Sequence, residues 1–326
     1  MKTEILRYLK EAEDYLSGQE LCERLGVSRT AVWKVIRQLQ EDGYEIEAVR
    51  NRGYRLAESG DVFTEAELKS VISTRVAGRN LVFLDLVDST NTRAKQLAEA
   101  GAPDGTVVVA QAQSAAKGRR GRSWMAPAGT GVWFSLLLRP QIEPEHASMM
   151  TLVAALAVEK GIRETTGLLA GIKWPNDVVV DGKKVCGILT EMSADMDSVN
   201  HVVVGIGINA NISGFPEELQ DKATSLFLAS EQVVKRAQLL NAVLLAWEEY
   251  YGRYLQTEDL SLLAKEYNEL LAGLDGMVRV LAPKGNYTGI SRGINHKGEL
   301  LVEREDGTVT EVMSGEVSVR GIYGYV

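Results

Sequence analysis

The sequence predicts a multidomain α/β protein. It has an N-terminal winged helix-turn-helix, a central α/β domain built on a mixed sheet, and a small SH3-like β-barrel at the C-terminus. Three observations carry this expectation. Two capped amphipathic segments, separated by a short turn, precede a hairpin pattern at the start of the chain; strand and helix patterns then alternate with hairpin turns; and from Asp275 onward only short strands with turn residues remain. A length of 326 residues exceeds one small core and predicts two or three domains. Their expected spans are 1–60, 64–272 and 275–326, with 58–62 as a linker.

Composition narrows the function classes. Hydrophobic content of 45% and charged content of 25% are those of a soluble globular protein. A net charge of −8 argues against general nucleic-acid coating, yet leaves room for a local basic face. Cys22 and Cys186 are far apart in sequence and suggest no disulfide framework. His146, His201 and His296 are scattered, without HExxH or CxxC, which argues against a structural metal site. The N-terminus lacks an apolar signal core, and no run of about 18 apolar residues occurs, so a cytoplasmic protein with no membrane partner is expected.

Ser17-Gly18-Gln19-Glu20 reads as a capping box, with Ser17 satisfying first-turn amides and Glu20 reaching back, and Gly26 ends that helix. Ser28 caps the next one, whose apolar stripe is Val32, Val35, Ile36 and Leu39. Thr30, Lys34 and Arg37 face away from the stripe, Arg29 and Trp33 flank it, and no acidic residue occurs from Arg24 to Gln40. Residues 44–49 and 54–56 form a hairpin pattern with a basic tip at Arg50-Asn51-Arg52-Gly53. The expected DNA-binding set is Ser28, Arg29, Thr30, Trp33, Lys34, Arg37, Arg50 and Arg52, working through phosphate contacts and a groove-reading helix. A winged helix used only for protein contact is the competing reading. Because the domain is close to neutral, a dimer on a defined site is expected rather than tight monomer binding.

Thr64-Glu65-Ala66-Glu67 is a second capping box, followed by a strand at Leu81–Val87. Asp88-Ser89-Thr90-Asn91 then turns into a helix running to Glu99; its polar groups either cap that helix or hold a polar ligand. After a strand at 106–110 comes the basic stretch 113–124. No Asp or Glu occurs from Gly105 to Ile142, whereas Lys117, Arg119, Arg120, Arg122 and Arg139 do. With Gly118 and Gly121 interleaved, this stretch offers a mobile backbone carrying donors for phosphate and carboxylate oxygens; the plain alternative is a solvated basic loop.

A strand at Val132–Leu138, an apolar helix at 146–163, and strands at 169–172, 178–180, 185–191 and 202–205 complete a mixed sheet, with Asp181-Gly182 as a hairpin turn. Gly205-Ile206-Gly207 is not a dinucleotide fingerprint, since the third glycine is missing and the following Asn209-Ala210-Asn211 opens no helix. The close glycines would instead let a flat ligand lie against the backbone. No GxxxxGK[ST] occurs. Helices follow at 231–255 and 260–271. The barrel strands are 277–281, 288–294, 299–303, 308–312 and 316–319, with turns at 284–286 and 306–307.

Four motifs now fall into order: DSTN at 88–91, KGRRGRSW at 117–124, KWPND at 173–177 with Lys184 and Gly187-Ile188 after it, and GIGIN at 205–209. Together they closely resemble the biotin–protein ligases. The winged helix resembles their bifunctional bacterial form, the biotin operon repressor and biotin–[acetyl-CoA-carboxylase] ligase. Lipoate–protein ligases share the central fold, but KWPND and the winged helix point away from them.

The resemblance implies that biotin and ATP give biotinyl-5′-AMP and pyrophosphate, and that the biotinyl group passes to one lysine of a biotin carboxyl carrier protein. It implies a biotin-binding set of Ser89, Thr90, Asn91, Gln113, Lys117, Gly118, Arg119, Lys184, Gly187, Gly205 and Gly207, with Lys184 and Arg119 catalytic. Arg122, Trp124, Lys173, Asn176, Asp177 and Asn209 fall on the ATP and adenylate side, Asp177 either meeting the Mg²⁺ carried by ATP or positioning Lys173. Trp124 and Trp174 can also be read as core packing, and Lys183 as solvent-exposed. The family's loop pattern GRGRRGR is altered here by Ala116 and Lys117, which keeps the charge but loses a bidentate fork. The resemblance further implies an adenylate-bound homodimer that binds operator DNA; the glycine spacing and clustered like charge of the basic loop separately predict that it orders over the ligand. Two readings compete: a regulator that senses a small carboxylate without catalysis, and a lipoate ligase with a borrowed winged helix.

Overall fold

The computed structural model describes the chain except residues 59, 196–197, 283–284, 315–317, 322–324 and 326. These residues form two compact units, one of residues 1–73 and 235–241, the other of 74–234 and 242–326. Among them no helix is long and apolar enough to cross a membrane.

In the first unit, helices α1 (Lys2–Glu11), α2 (Gly18–Leu25) and α3 (Arg29–Glu41) precede the hairpin β1 (Ile46–Val49) and β2 (Gly53–Leu56), then α4 (Glu65–Val71). Their apolar faces close on Ile5, Leu6, Leu9, Leu21, Val32, Val35, Ile36 and Leu39. The Ser17, Ser28 and Thr64 hydroxyls accept first-turn amides at 3.0, 3.2 and 3.2 Å. Only this half of each capping box forms. Glu20 instead takes Arg24 at 2.5 Å, and Glu67 takes Lys10 at 2.6 Å and the Tyr44 hydroxyl at 2.7 Å, because each carboxylate finds a stronger donor than a backbone amide. Leu16 bridges Tyr54, so the wing pairs with a third segment; Gly53 (φ 114°) permits the approach, since a Cβ there would lie 2.1 Å from the Leu16 carbonyl. Residues 235–241 join this unit through Arg236, whose Nε meets Asp61 at 2.5 Å.

The second unit is organised on seven strands: β3 (Leu81–Val87), β4 (Thr106–Gln113), β5 (Val132–Leu138), β6 (Ala170–Lys173), β7 (Asp177–Val180), β8 (Lys183–Ala194) and β9 (Val199–Ile208). They lie in the order β3-β4-β5-β9-β8-β7-β6, with only β3 and β4 parallel. Helix α5 (Thr90–Glu99) packs Ala94 and Ala98 on Val108, Leu137 and Val203. Val107 and Val109 alternate to the other face and are equally buried, which is why these central strands read as continuous apolar runs. Helix α6 (Met150–Thr166) covers β6 to β9 and follows a 3₁₀ segment at Pro144–Met149, so it starts later than the expected 146.

A short α7 (Leu226–Ser230) ends at Glu231 in the left-handed region (φ 58°), and α8 (Arg236–Thr257) starts after that break instead of at 231. Only Ala264–Glu269 (α9) of the expected 260–271 helix is regular. Strands β10 (Met277–Leu281), β11 (Tyr287–Ile294), β12 (Leu300–Glu303), β13 (Val309–Val312) and β14 (Ser318–Gly321) form an antiparallel sheet in the order β13-β12-β11-β10-β14. Among the described residues this ladder is open, with no β13 to β14 pairing to close the expected barrel. Of the strand expected at 316–319, residues 316 and 317 lie outside the described residues, as does Lys284 of the expected turn.

Candidate active site and basic face

The turn from β3 into α5 presents Ser89, Thr90 and Asn91, all buried, and the Ser89 side chain makes no cap bond. These groups are therefore used laterally. Ser135 Oγ on β5 lies 2.8 Å from Thr90 Oγ1 and 2.6 Å from Asn91 Oδ1, and the Thr90 amide donates to Gln113 Oε1 at 2.8 Å. Asn91 Nδ2 donates to the Leu189 carbonyl at 3.2 Å and to Glu191 Oε2 at 2.8 Å. Glu191 also takes Lys95 at 2.8 Å. Burial pushes the Glu191 carboxyl up, but the hydrogen bonds from Lys95 and Asn91 outweigh it and hold it below the usual carboxylate range.

This polar floor opens into a cavity of about 880 Å³, within the size range of ligand pockets. The basic stretch forms one wall, folded back on itself: the Trp124 amide donates to Ala116, the Gly118 amide to Arg122, and Arg119–Gly121 makes a 3₁₀ turn. Lys117, Arg120 and Arg122 are exposed, whereas Arg119 is half-buried. Arg119 Nη1 donates to Asn176 Oδ1 at 2.9 Å and Nη2 to the Ser314 carbonyl. Burial lowers the Arg119 pKa, opposed by the charge of Asp177.

The opposite wall is the turn from β6 to β7. Lys173 ends β6, a cis Trp174-Pro175 bond follows, and Asn176 anchors the turn by donating to Ile188 at 3.1 Å and to Asp177 at 3.1 Å. Asp177 Oδ1 meets Lys184 Nζ at 2.6 Å, and that ammonium lies 5.0 Å from the centre of the Trp124 ring. The geometry alters the expected role of Asp177: it pairs directly with Lys184, not with Lys173. Lys183 also differs from expectation, being half-buried and donating to the Gln220 carbonyl at 2.9 Å, because successive strand residues point to opposite faces.

The glycines are accounted for by side chains of the protein itself. Gly187 and Gly207 are register partners on β8 and β9, and Trp124 lies across them; a Cβ at either would come within 2.9 or 2.8 Å of its ring. Gly205 makes room for Asn91. Among the described residues Trp124 Nε1 is buried without a hydrogen-bond partner, against the Gly207 position of β9. Asn209 is buried and donates to the Thr224 carbonyl at 3.1 Å. Trp174 is also buried, with Nε1 donating to Gly298 at 3.0 Å, and so serves as packing.

In the first unit, Thr30, Trp33, Lys34 and Arg37 are exposed along α3, with Trp33 53% exposed and the Arg37 guanidinium 5.6 Å from its ring. Arg50 is exposed at the wing tip. The other members of the expected set have partners. Ser28 Oγ caps α3, Arg29 donates to Gln19 at 2.9 Å, and Arg52 meets Asp14 at 3.0 Å above the Tyr15 ring.

The bifunctional ligase/repressor BirA of Bacillus subtilis is 39% identical over 322 residues, 98% of each chain. The chain belongs to the bifunctional ligase/repressor family of biotin protein ligases. The Escherichia coli member is 28% identical over 94% of each chain. Family profiles match in order: a helix-turn-helix domain at 2–55, the biotin/lipoate A/B protein ligase family at 83–209, and the biotin protein ligase C-terminal domain at 274–320. Among solved structures, the Aquifex aeolicus biotin protein ligase in complex with biotin and ATP is 34% identical, with a TM-score of 0.66 over 74% of this chain and 99% of that one.

Within this ligase fold, several residues of the cavity and of the network beneath it escaped sequence reasoning. Ser135 carried a signal, as the one polar residue in the apolar run of β5. Glu191 and Tyr325 carried none, since their roles depend on partners about 100 and 148 residues away in sequence. Asp177 does not fit a metal-ligand role as placed: Oδ1 faces Lys184 and Asn176, and Oδ2 accepts the Tyr325 hydroxyl at 2.6 Å. Among the described residues the one grouping of three metal-type side chains, Glu143, Glu145 and His146, lies outside this cavity.

Proposed function

We propose that this ligase/repressor activates biotin with ATP and passes it to a lysine of a biotin carboxyl carrier protein. A biotin carboxylate oxygen attacks the α-phosphorus, the bond to the bridging oxygen breaks, and pyrophosphate leaves. The acceptor amine then attacks the carbonyl carbon of biotinyl-5′-AMP, and AMP leaves. The observation that carries the reading is the Lys184–Asp177 pair set between the polar floor at 89–91 and the basic wall at 117–122. An anion approaching a triphosphate needs cations fixed in advance, and Lys184, Lys173 and Arg119 line one cavity.

In this proposal Ser89, Thr90, Asn91, Gln113, Lys117, Gly118 and Arg119 hold biotin, and Lys184 stands between carboxylate and phosphate. Arg122, Trp124, Lys173, Asn176 and Asn209 serve the adenylate. Mg²⁺ would enter on the phosphates of ATP, and no step is assigned to it through Asp177. The proposed division of labour gives 1–60 to DNA reading, 64–272 to catalysis and 275–326 to completing the catalytic cleft. The adenylate-bound form acts as a cytoplasmic homodimer on operator DNA.

The test is pyrophosphate release by the full chain with ATP and either biotin or lipoate, followed by transfer to a biotin carboxyl carrier domain. Biotin-dependent release with labelling of one carrier lysine is expected. Release that depends on lipoate, or no release with biotin, would sink the reading.

A further inference from the structure

Tyr325 reaches the cavity from the end of the chain and touches both charged residues of the KWPND turn. Its hydroxyl donates to Asp177 Oδ2 at 2.6 Å. Its ring centre lies 3.2 Å from Lys173 Nζ, and that ammonium also donates to the Tyr325 carbonyl. A second tether comes from the same C-terminal region, where the Ser314 carbonyl receives Arg119.

The geometry of these contacts separates two effects. With Oδ2 occupied by the tyrosine, Asp177 presents Oδ1 to Lys184 at 2.6 Å and to Asn176 at 3.1 Å; without the hydroxyl only these Oδ1 contacts hold the carboxylate, and rotation about its last bond carries Lys184 with it. The ring and carbonyl act on Lys173 instead, where the negative face of the ring holds the ammonium against the cavity wall.

We propose that Tyr325 is a positioning residue for the adenylation step, its hydroxyl fixing the Asp177–Lys184 pair and its ring fixing Lys173 for the nucleotide. This rests on the ligase reading above. The hydroxyl and ring functions divide between two variants. Tyr325→Phe removes the hydroxyl and keeps the ring, so kcat for biotin-dependent pyrophosphate release falls about ten-fold while KM for ATP stays within about two-fold. Tyr325→Ala removes both and also raises KM for ATP about ten-fold.

The experiment measures both parameters in the full-length wild type and the two variants, and in parallel the transfer of biotin from supplied biotinyl-AMP to a carrier domain. The expected result is the split described, with the first half-reaction hit harder than the transfer. Equal losses in both half-reactions, as from misfolding, would overturn the proposal. So would unchanged kinetics in both variants, or a faster rate in either, which would mark Tyr325 as a plug. A wild type that releases no pyrophosphate fails the ligase reading itself, a result distinct from any of these.

Discussion

Gly205 lacks a side chain because Asn91 already fills the space: a Cβ there would lie 2.1 Å from Asn91 Oδ1. Asn91 cannot give way, since Ser135, Leu189 and Glu191 hold both ends of its amide. Sequence alone named Asn91 and Gly205 but could not join them, because their contact is set by the packing of α5 over β9. Glu191 completes the same network, and its protonation is linked to folding. Its carboxyl is held below the usual range in the folded state, so its contribution is present above that range and is lost as pH falls through the lowered value. Glu191→Gln should therefore melt below the wild type at about pH 7, and the gap should narrow as pH falls through the lowered value and the carboxyl becomes neutral like the amide. Paired melting curves check this; a gap that does not change with pH would show that the charge is not what Glu191 contributes.

At the scale of elements, α3 shows why local signals were readable where they stood alone. The Ser28 cap, the stripe of Val32, Val35, Ile36 and Leu39 and the αL glycine before it are contained in one short segment, and each is in place. Helix α8 starts later than its side-chain pattern suggests: residues 231–235 carry a helical mix of side chains, while the backbone of Glu231 turns left-handed to end α7. Charge on α3 is likewise a local property. Lys34 and Arg37 are exposed, whereas Arg52 is already tied to Asp14, so the phosphate contacts should come from the helix more than from that wing residue. With biotinyl-AMP present, Lys34→Ala should weaken operator binding at all sequences alike and lower the salt slope by about 1, whereas Arg52→Ala should change it less. Gel shifts over a range of salt measure both. A slope unchanged by Lys34→Ala, or operator binding indifferent to the adenylate, would remove this face from the repressor reading.

Across the whole molecule, the order of parts was legible because composition changes at each boundary, but the strand order was not. Hairpin signals implied a mixed sheet; that β5 lies beside β9, and that β6 ends the sheet, depends on partners many residues distant. The same long-range logic ties the C-terminal region to the cleft. The Ile172 amide donates to Leu270 at 2.7 Å and the Ala272 amide returns to Ile172 at 2.8 Å, while Trp174 Nε1 reaches Gly298 at 3.0 Å. The KWPND turn is thus held from outside the sheet that carries it, by the segment after α9 and by the turn between β11 and β12. Trp174→Phe keeps nearly all of the buried ring but leaves the Gly298 carbonyl without that donor, a loss of about 1–3 kcal/mol for a buried acceptor. If the tether only stabilises the fold, denaturation shifts and the kinetics of the folded protein do not. If it also places Lys173 and Asp177, KM for ATP rises several-fold at a denaturant-free temperature well below melting, and affinity for biotin, whose proposed contacts at 89–91 lie on another turn, changes much less. We expect the second pattern, read from ATP and biotin titrations of the same variant; equal weakening toward both ligands would show that the tether supports the cleft as a whole and not its nucleotide side.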